Sequence, residues 1–334
     1  MISSSSRSVI HDVVEQFVRE ELSLENAQIA GAVWAMLDAG GKELRPRMTL
    51  LAAAAANPAA PPDPVLASYM ELIHVATLIH DDVVDNADVR RGKISTNNVH
   101  GNRFSVLAGD YLFSWVFKKV TLGYDNPVPT ILSSMLSEIC NGEVRQLRAA
   151  GNLALTRNQY FEIIGKKTAE LFASCAEVGA IVALQHTTAA SGSVLREHPS
   201  VRALRDFGLA FGSAFQIRDD LLDVVASDAA LGKPAGSDLR DRKVTLPLII
   251  ALEQGDERVR AAAQDLFDPA KAGDNRALIV ELIAGLRTSG GIHGAKQVVE
   301  NFESEARDAL RRLPPSPAAS ELEALTHTLS EYSS

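Results

Sequence analysis

The sequence has few cysteines, few aromatic residues and no apolar run long enough to cross a membrane. Cys140 and Cys175 are its two cysteines, and neither belongs to a CxxC pair or has a histidine at metal-ligand spacing. This usage argues against a disulfide framework or a zinc site, and it predicts two reduced core thiols in a cytoplasmic protein. Apolar stretches such as MTLLAAAAA and LIVELIAGL are shorter than the about 20 residues that a transmembrane helix needs.

Positive charge is also scarce. The 334 residues include 33 Lys and Arg against 42 Asp and Glu, which gives a formal net charge of −9. With no long basic run, a general nucleic-acid-binding function is excluded. The N-terminus, MISSSSRSVIHDVVEQ, lacks a basic n-region and an apolar h-region, so we expect no signal peptide.

Helical periodicity dominates the chain. Apolar residues recur at a spacing of three to four in segments such as SVLAGDYLFSWVFKKV and YFEIIGKKTAELFASCAEVGAIVAL, and no alternating strand pattern is found. The stretch VTLPLII contains Pro247 and continues into ALEQ, which favours a helix start over a strand. The breaks between segments are too short to be interdomain linkers. We predict one all-α domain over residues 1–334, with 1–7 as a disordered N-terminus.

A D-D-x-x-D pattern occurs twice, each time within apolar sequence. On a helix, the first and last aspartates of such a pattern share a face, where like charges destabilise an isolated helix by about 0.2–0.5 kcal/mol per pair. Drawing these carboxylates partly out of water costs several kcal/mol more unless something compensates. The two copies are Asp81, Asp82 and Asp85, and Asp219, Asp220 and Asp223.

A hard divalent cation is the natural compensation, because Mg²⁺ is usually held by one or two carboxylates together with waters and substrate phosphates. Basic residues that could neutralise such a phosphate accompany the aspartates. A metal-bound diphosphate between the charges would satisfy both signs, so the aspartates and arginines need not pair with each other. The basic residues are Lys42, Arg45, Arg90, Arg91, Lys167, Lys233 and Lys243.

Simpler interpretations exist for the aspartates and for the nearby histidines. A single DDxxD could be a solvated helix end with local ion pairs, but two copies in apolar flanks argue against that reading. A histidine on an apolar helix is usually a core residue. His74, however, precedes Asp81 by seven residues, two turns along almost the same face, which favours a role at the ligand. His80 points elsewhere and is taken as structural.

Further motifs accompany the aspartates in a fixed order. With them, the sequence resembles the trans-isoprenyl diphosphate synthases, or polyprenyl synthetases, over nearly its whole length. The resemblance implies an all-α isoprenoid-synthase fold with helices around a deep central active-site cavity, usually as a homodimer. The motifs are GGKELRP (40–46), LIHDDVVDNADVRRGK (78–93), GNRFSVLAGDYL (101–112), GEVRQL (142–147), KKTAEL (166–171), FQIRDDLLD (215–223), LGKPAGSDLRDRKVTLPLI (231–249) and SGGI (289–292).

The implied reaction is a head-to-tail condensation of isopentenyl diphosphate with an allylic diphosphate. It needs several Mg²⁺ ions and no protein base, since the departing pyrophosphate takes the proton. Glu43 stands where the family often has a basic residue; because Lys42 and Arg45 remain, weaker isopentenyl diphosphate binding is the most that this departure is expected to cause. Carried over by motif, the resemblance implies that Mg²⁺ is bound by Asp81, Asp85, Asp219 and Asp223, with Asp82 in support. It implies that the allylic diphosphate is bound by Arg90, Lys167 and Lys233, and that isopentenyl diphosphate is bound by Lys42, Arg45, His74 and Arg91. Contact with the cationic centre is implied for Thr168 and Gln216.

The helix before Asp81 bears on product length. In this family, bulky aromatic residues four or five positions before the first aspartate stop elongation early, whereas Thr77 and Ala76 are small. Because each turn back moves about 5.4 Å from the metal end, Met70 and Ile73 are candidates for a deeper floor, and we expect a chain of about six isoprene units or more. Their alternative role is ordinary core packing.

Three other functions are compatible with parts of this pattern. A class I terpene cyclase also ionises an allylic diphosphate, but its second metal motif is of the N-D-x-x-S-x-x-x-E type, and it needs no second diphosphate site. A non-catalytic subunit of a heteromeric synthase would tend to lack one aspartate motif, and both are whole here. A shorter-chain farnesyl or geranylgeranyl diphosphate synthase stays open, as do the primer and the downstream pathway. No nucleic-acid partner is expected, and product release would allow transient membrane contact.

Overall fold

The computed structural model describes residues 10–17, 19, 27–38, 40–90, 92–188, 192–225, 236–268, 270 and 275–329. Three sequence predictions fall outside this part of the chain: Arg91, Lys233 and the expected disorder of residues 1–7.

The described residues are overwhelmingly helical, which confirms the predicted all-α class. The exception is a small antiparallel hairpin of β1 (Val89–Arg90) and β2 (Lys93–Ile94), in which Val89 pairs with Ile94. Residues 10–17 are helical as well. The remaining elements are α1 (Ala27–Asp38), α2 (Leu44–Ala56), α3 (Pro64–Val84), α4 (Thr96–His100), α5 (Asn102–Gly123), α6 (Val128–Ala149), α7 (Arg157–Ile164), a π-helix (Gly165–Ala169), α8 (Glu170–Gln185), α9 (Gly192–Arg196), α10 (Pro199–Val225), α11 (Ser237–Arg240), α12 (Leu246–Glu253), α13 (Glu257–Phe267), α14 (Arg276–Thr288), α15 (Gly291–Leu310) and α16 (Pro317–His327).

Local sequence explains where several helices begin. Helix α3 starts at Pro64 behind Asp63, whose carboxylate accepts a hydrogen bond from the Leu66 N–H at 2.9 Å. Asp at the N-cap and Pro in the first turn are both favoured, because the first N–H groups of a helix have no partner inside it. Helix α12 likewise carries Pro247 in its first turn, as the sequence predicts.

The chain contains two compact units, each built from several segments. The first comprises residues 1–133, 174–204 and 313–319. Within it, α3 packs against α1, α2 and α5. Helix α3 is the centre of this unit, since every residue from Leu66 to Ala76 is buried.

The second unit comprises residues 134–173, 205–312 and 320–334. Here α12 packs against α15, and α13 against α14. In α10, a Cβ on Gly212 would lie 2.5 Å from the Cα of Ala169, so only glycine allows this helix to approach the π-helix so closely. The prediction that the whole chain is a single domain stays a prediction.

The sequence predicts no membrane-spanning run and two buried cysteine thiols. Among the described residues, the helical stretch 157–185 is apolar and long enough to cross a membrane, but 83% of its most apolar window is buried. That degree of burial is typical of a core helix. Cys175 is a buried free thiol as predicted, whereas Cys140 is exposed. The prediction of a core position for Cys140 is wrong, because this residue lies on the outer face of α6.

Candidate active site

The first aspartate motif closes helix α3. Asp85 is the C-cap residue, and its N–H donates to the carbonyl of Asp81 at 2.8 Å. This is a helical hydrogen bond, so Asp81 and Asp85 lie one turn apart as predicted. Both side chains are half-buried. Two carboxylates therefore stand on one face at the end of a buried apolar helix.

Asp82, between them, is fully buried and engages Arg90. The Arg90 Nε donates to Asp82 Oδ1 at 2.7 Å, and the Arg90 side chain is 30% exposed. Burial raises the pKa of Asp82, while the charge of Arg90 and its hydrogen bond lower that pKa. Arg90 and Asp82 pair directly, because a buried carboxylate requires a local counter-charge.

The residues predicted to hold isopentenyl diphosphate lie in the first unit. Lys42 is exposed before α2, Arg45 is half-buried in its first turn, and His74 is buried in α3 with 9% exposure. Glu43, the departure from the family pattern, caps α2 with a φ of 47°, a left-handed conformation rare for a non-glycine residue. Such strain is common where a loop must present side chains to a ligand.

The positions predicted to set product length lie on buried turns of α3. Met70, Ile73 and Ala76 each show 0% exposure, and Thr77 is half-buried. The Thr77 hydroxyl donates to the carbonyl of His74 at 2.8 Å, so its polar group is satisfied within the helix. The two positions nearest the aspartates therefore add little bulk to the face they occupy.

The second aspartate motif lies in α10, and its three carboxylates have three different environments. Asp219 is exposed, whereas Asp220 and Asp223 are buried. Asp223 Oδ1 accepts from Ser237 Oγ at 2.8 Å and from the Ser237 N–H at 3.2 Å. Its Oδ2 accepts from the Asp238 N–H at 3.0 Å. Asp223 thus ties α10 to the start of α11, and the predicted metal-ligand role of this residue stays a prediction.

Lys167 and Thr168 lie in the π-helix, which the sequence did not predict. A π-helix widens one helical turn and is frequent at functional sites. The Lys167 ammonium pairs with Glu143 Oε1 at 2.6 Å, with less than a fifth of either side chain exposed. On the α6 side, a Cβ on Gly142 would lie 2.6 Å from the Lys167 backbone nitrogen. Close packing by α6 therefore holds the backbone that carries Lys167.

A chain of hydrogen bonds starts at Thr168. Its hydroxyl donates to Gln216 Oε1 at 2.7 Å, and Gln216 Nε2 donates to Asp220 Oδ1 at 2.8 Å. Tyr160 completes the chain by donating to Asp220 Oδ2 at 2.6 Å. Thr168 and Gln216 are thus brought together as predicted, whereas Tyr160 was missed. The signal that could have found it was a tyrosine inside an amphipathic helix, where a buried hydroxyl needs a partner.

Burial controls the proton affinity of this network. It raises the pKa of Asp220 to about 7, although the hydrogen bonds from Tyr160 and Gln216 lower that pKa in part. Burial also raises the pKa of Tyr160 well above its usual range, and the neighbouring Asp220 carboxyl adds to the shift. Tyr160 is therefore a neutral donor at every working pH.

The carboxylates fit a magnesium ion better than a metal that requires a complete protein cage. Within the described ranges, no three His, Cys, Asp or Glu residues come close enough together to form a metal site. Mg²⁺ does not require such a group, because one or two carboxylates, waters and substrate phosphates complete its shell. Asp81 and Asp85 provide such a pair of hard oxygen donors one turn apart. The assignment of all these residues to substrate and metal stays a prediction.

The described part of the chain is mainly helical, and two of its helices carry aspartate-rich segments. Comparison with known proteins identifies the class more closely. The polyprenyl synthetase family model matches residues 26–283, and the chain belongs to this family. The predicted resemblance is thereby confirmed, and with it the expectation of an enzyme, a prenyltransferase.

Individual relatives span different products. The chain is 33% identical over 314 residues to the octaprenyl diphosphate synthase of Escherichia coli, covering 94% of this chain and 93% of the relative. It is 32% identical to a short chain isoprenyl diphosphate synthase of Methanothermobacter thermautotrophicus over 92% and 91% of the two chains. The crystal structure of a decaprenyl diphosphate synthase from Rhodobacter capsulatus superimposes with a TM-score of 0.86 at 35% identity, covering 98% and 96%.

Proposed function

We propose that this protein condenses isopentenyl diphosphate head-to-tail with an allylic diphosphate, giving an all-trans polyprenyl diphosphate of medium or long chain. The observation that carries the proposal is the end of α3. A pair of carboxylates one turn apart, Asp81 and Asp85, follows buried turns whose nearest positions, Ala76 and Thr77, are small. Family membership supports the reaction class, and prenyl diphosphate substrates fit the family.

The cationic side chains bind the two diphosphates. Lys167 and Arg90 hold the allylic substrate, and each now pairs with a carboxylate that keeps its charged group in place, Glu143 and Asp82 respectively. The Arg90 Nε keeps its bond to the buried Asp82, and the guanidinium has further N–H donors that could bind a phosphate oxygen. Lys233 has the same proposed role. The isopentenyl diphosphate group falls to Lys42, Arg45, His74 and Arg91.

The chemistry requires a leaving diphosphate and a stabilised allylic cation. Proteins of this family use Mg²⁺; we assign it, as several ions, to Asp81, Asp85, Asp219 and Asp223, with Asp82 in support. Bound Mg²⁺ supplies neutralising charge for the departing pyrophosphate. Thr168 and Gln216 present oxygen dipoles to the electron-poor carbon, and preorganised dipoles of this kind often supply much of an enzyme's rate enhancement.

Both the relatives and the α3 face support a medium or long product. Octaprenyl, nonaprenyl and heptaprenyl diphosphate synthases are among the relatives, although a short chain synthase is also 32% identical. Ala76 and Thr77 occupy the first turn behind Asp81, where a bulky ring would stop the chain, and Ile73 and Met70 follow on deeper turns. The proposed product is therefore longer than farnesyl or geranylgeranyl diphosphate.

The oligomeric state and the cellular location of the protein are part of the same proposal. We place it in the cytoplasm as a homodimer, with transient membrane contact when the apolar product leaves. One all-α polyprenyl synthetase domain would extend over the chain and enclose a deep cavity.

The test measures Mg²⁺-dependent condensation. Purified protein is incubated with isopentenyl diphosphate and each of several allylic primers, with and without chelator, while pyrophosphate release is followed. The proposal predicts release that needs both substrates and Mg²⁺, and that falls at least about a hundredfold in Asp81→Ala and Asp219→Ala, since each removes a charge-stabilising ligand. No condensation with any primer would refute it, and full activity of either variant would refute that residue's role.

A further inference from the structure

Four side chains of the second unit form one unbranched line of hydrogen bonds. Thr168 donates to Gln216, Gln216 donates to Asp220, and Tyr160 donates to the other oxygen of Asp220, with lengths between 2.6 and 2.8 Å. The far end is buried, since Tyr160 is 3% and Asp220 6% exposed, while Thr168 and Gln216 are half-buried. The line thus runs from the core toward a more accessible end.

The chemistry of each group sets the direction of every bond in the line. In its ionised form Asp220 only accepts hydrogen bonds, so the group of Gln216 that faces it is the NH₂, and Gln216 Nε2 lies 2.8 Å from Asp220 Oδ1. The amide oxygen of Gln216 then faces Thr168, which must spend its single hydroxyl proton on that oxygen. The lone pairs of Thr168 Oγ1 are consequently left for whatever lies at the accessible end.

Tyr160 makes this direction stable. Its hydroxyl has one proton, and it donates that proton to Asp220 Oδ2 at 2.6 Å. Both oxygens of the buried carboxylate therefore receive a donor from opposite sides. Without Tyr160, one of these oxygens would be a buried acceptor with no donor from this line, a costly arrangement that favours rearrangement of its neighbours.

We propose that Tyr160 is a positioning residue for catalysis: through Asp220 and Gln216, it holds the Thr168 hydroxyl with its lone pairs toward the electron-poor carbon of the allylic substrate. Hydrogen bonds in a line polarise one another, so the Thr168 oxygen becomes more electron-rich than a lone hydroxyl. An oxygen of this kind, fixed before reaction, stabilises positive charge as it develops. This inference rests on the proposed condensation.

The test is a double-mutant cycle on the steady-state condensation rate. Tyr160→Phe removes the terminal donor, and Thr168→Val removes the hydroxyl on which it acts. We expect Tyr160→Phe to lower kcat about tenfold, the effect of one hydrogen bond at the transition state, with KM for the allylic substrate changed by less than about twofold. In the Thr168→Val background the same substitution is expected to change kcat by less than about twofold, because two residues in one network couple.

Two further variants separate catalysis from folding. Thr168→Ser keeps the hydroxyl, so in that background Tyr160→Phe should again cost about tenfold in kcat. Tyr124 provides the matched control, since its hydroxyl donates to Asp63 Oδ2 at 2.9 Å in the first unit, outside the proposed site. Tyr124→Phe should lower thermal stability but leave kcat unchanged.

Each outcome decides the matter. The inference is overturned if Tyr160→Phe keeps full kcat, or if it loses the same factor in kcat with and without the Thr168 hydroxyl. In either case an active wild-type enzyme still upholds the proposed function. An inactive wild-type enzyme overturns both. If Tyr160→Phe does not fold, Asp220→Asn takes its place in the cycle. Its amide can donate to Gln216 and reverse the line, so kcat should fall when Thr168 is present and hardly change when it is absent.

Discussion

Gly142 of α6 lies so close to the π-helix that any side chain there must displace it. A Cβ at this position would stand 2.6 Å from the Lys167 nitrogen, 2.9 Å from its Cα and 3.0 Å from its Cβ. Ordinary contact begins at 3.4 Å, so the two backbones would have to separate by about 0.8 Å. The first atoms met are backbone atoms, which cannot swing aside as the end of a long side chain does.

The expected cost of Gly142→Ala has two parts. Overpacking of this kind destabilises a protein by about 1–3 kcal/mol. The same displacement moves Lys167 and Thr168, and a misplacement of about 1 Å at reacting groups can cost about a hundredfold in rate. We therefore predict that kcat/KM for the allylic substrate decreases by a factor of about ten to about a hundred, because the displacement is slightly less than 1 Å.

The assay varies the allylic primer at saturating isopentenyl diphosphate, and urea unfolding is measured in parallel. Gly31→Ala is the control, because Gly31 lies inside helix α1 with nothing within 4 Å of its added Cβ. That variant should keep wild-type kinetics and gain up to about 1 kcal/mol of helix stability. Wild-type kinetics in Gly142→Ala would refute the claim that α6 sets the position of the π-helix.

Three other predictions concern the first unit and the thiols. Ala76→Phe should shorten the product sharply with little loss of the first condensation, because the ring fills a buried turn one step behind Asp81. Chromatography of the dephosphorylated products would show the change, and an unchanged product distribution would contradict the proposed role of this face in setting product length. Arg90→Gln should cost about 3 kcal/mol in urea unfolding, since it strips the counter-charge from buried Asp82. Burial raises the pKa of Asp82 and Arg90 lowers it, so without Arg90 the Asp82 carboxyl takes up a proton more readily as the pH falls. The loss in unfolding free energy should therefore be larger at pH 8 than at pH 5. An equal loss at the two pH values would contradict the pairing. Iodoacetamide at pH 8 should label exposed Cys140 and spare Cys175, because burial raises the pKa of Cys175 to about 12; rapid labelling of Cys175 in the native protein would disprove that burial.

The helices and the first aspartate pair could be predicted because they depend on local pattern. Three- to four-residue apolar spacing forms helices, and a helical hydrogen bond joins Asp81 to Asp85 as the spacing requires. Pro247 likewise marks the start of α12. Features that follow from a residue and its neighbours along one helix were therefore accessible from sequence.

The second aspartate motif was less predictable because its environments are tertiary. Asp219 and Asp223 have the same spacing as the first pair, yet one is exposed and the other accepts three hydrogen bonds from the start of α11. The π-helix also depends on close packing, since α6 and α10 approach it at Gly142 and Gly212. Spacing alone does not encode which segment will cover a side chain.

The same reasoning explains one contact that was not predicted and one burial prediction that is wrong. Arg90 follows Asp82 by eight residues across the start of a hairpin, and no periodic rule pairs residues at that distance. Cys140 has an apolar side chain on the outer face of a long helix, where a single apolar residue is tolerated. Both outcomes depend on burial, which the pattern of one segment predicts poorly.

The small residues Ala76 and Thr77, one turn before Asp81, are proposed to allow a long product chain to grow along α3. The most direct measurement incubates the purified protein with labelled isopentenyl diphosphate, Mg²⁺ and an allylic primer, and sizes the dephosphorylated products. The account predicts products longer than geranylgeraniol. Products that stop at farnesol or geranylgeraniol, with isopentenyl diphosphate still in excess, would contradict it.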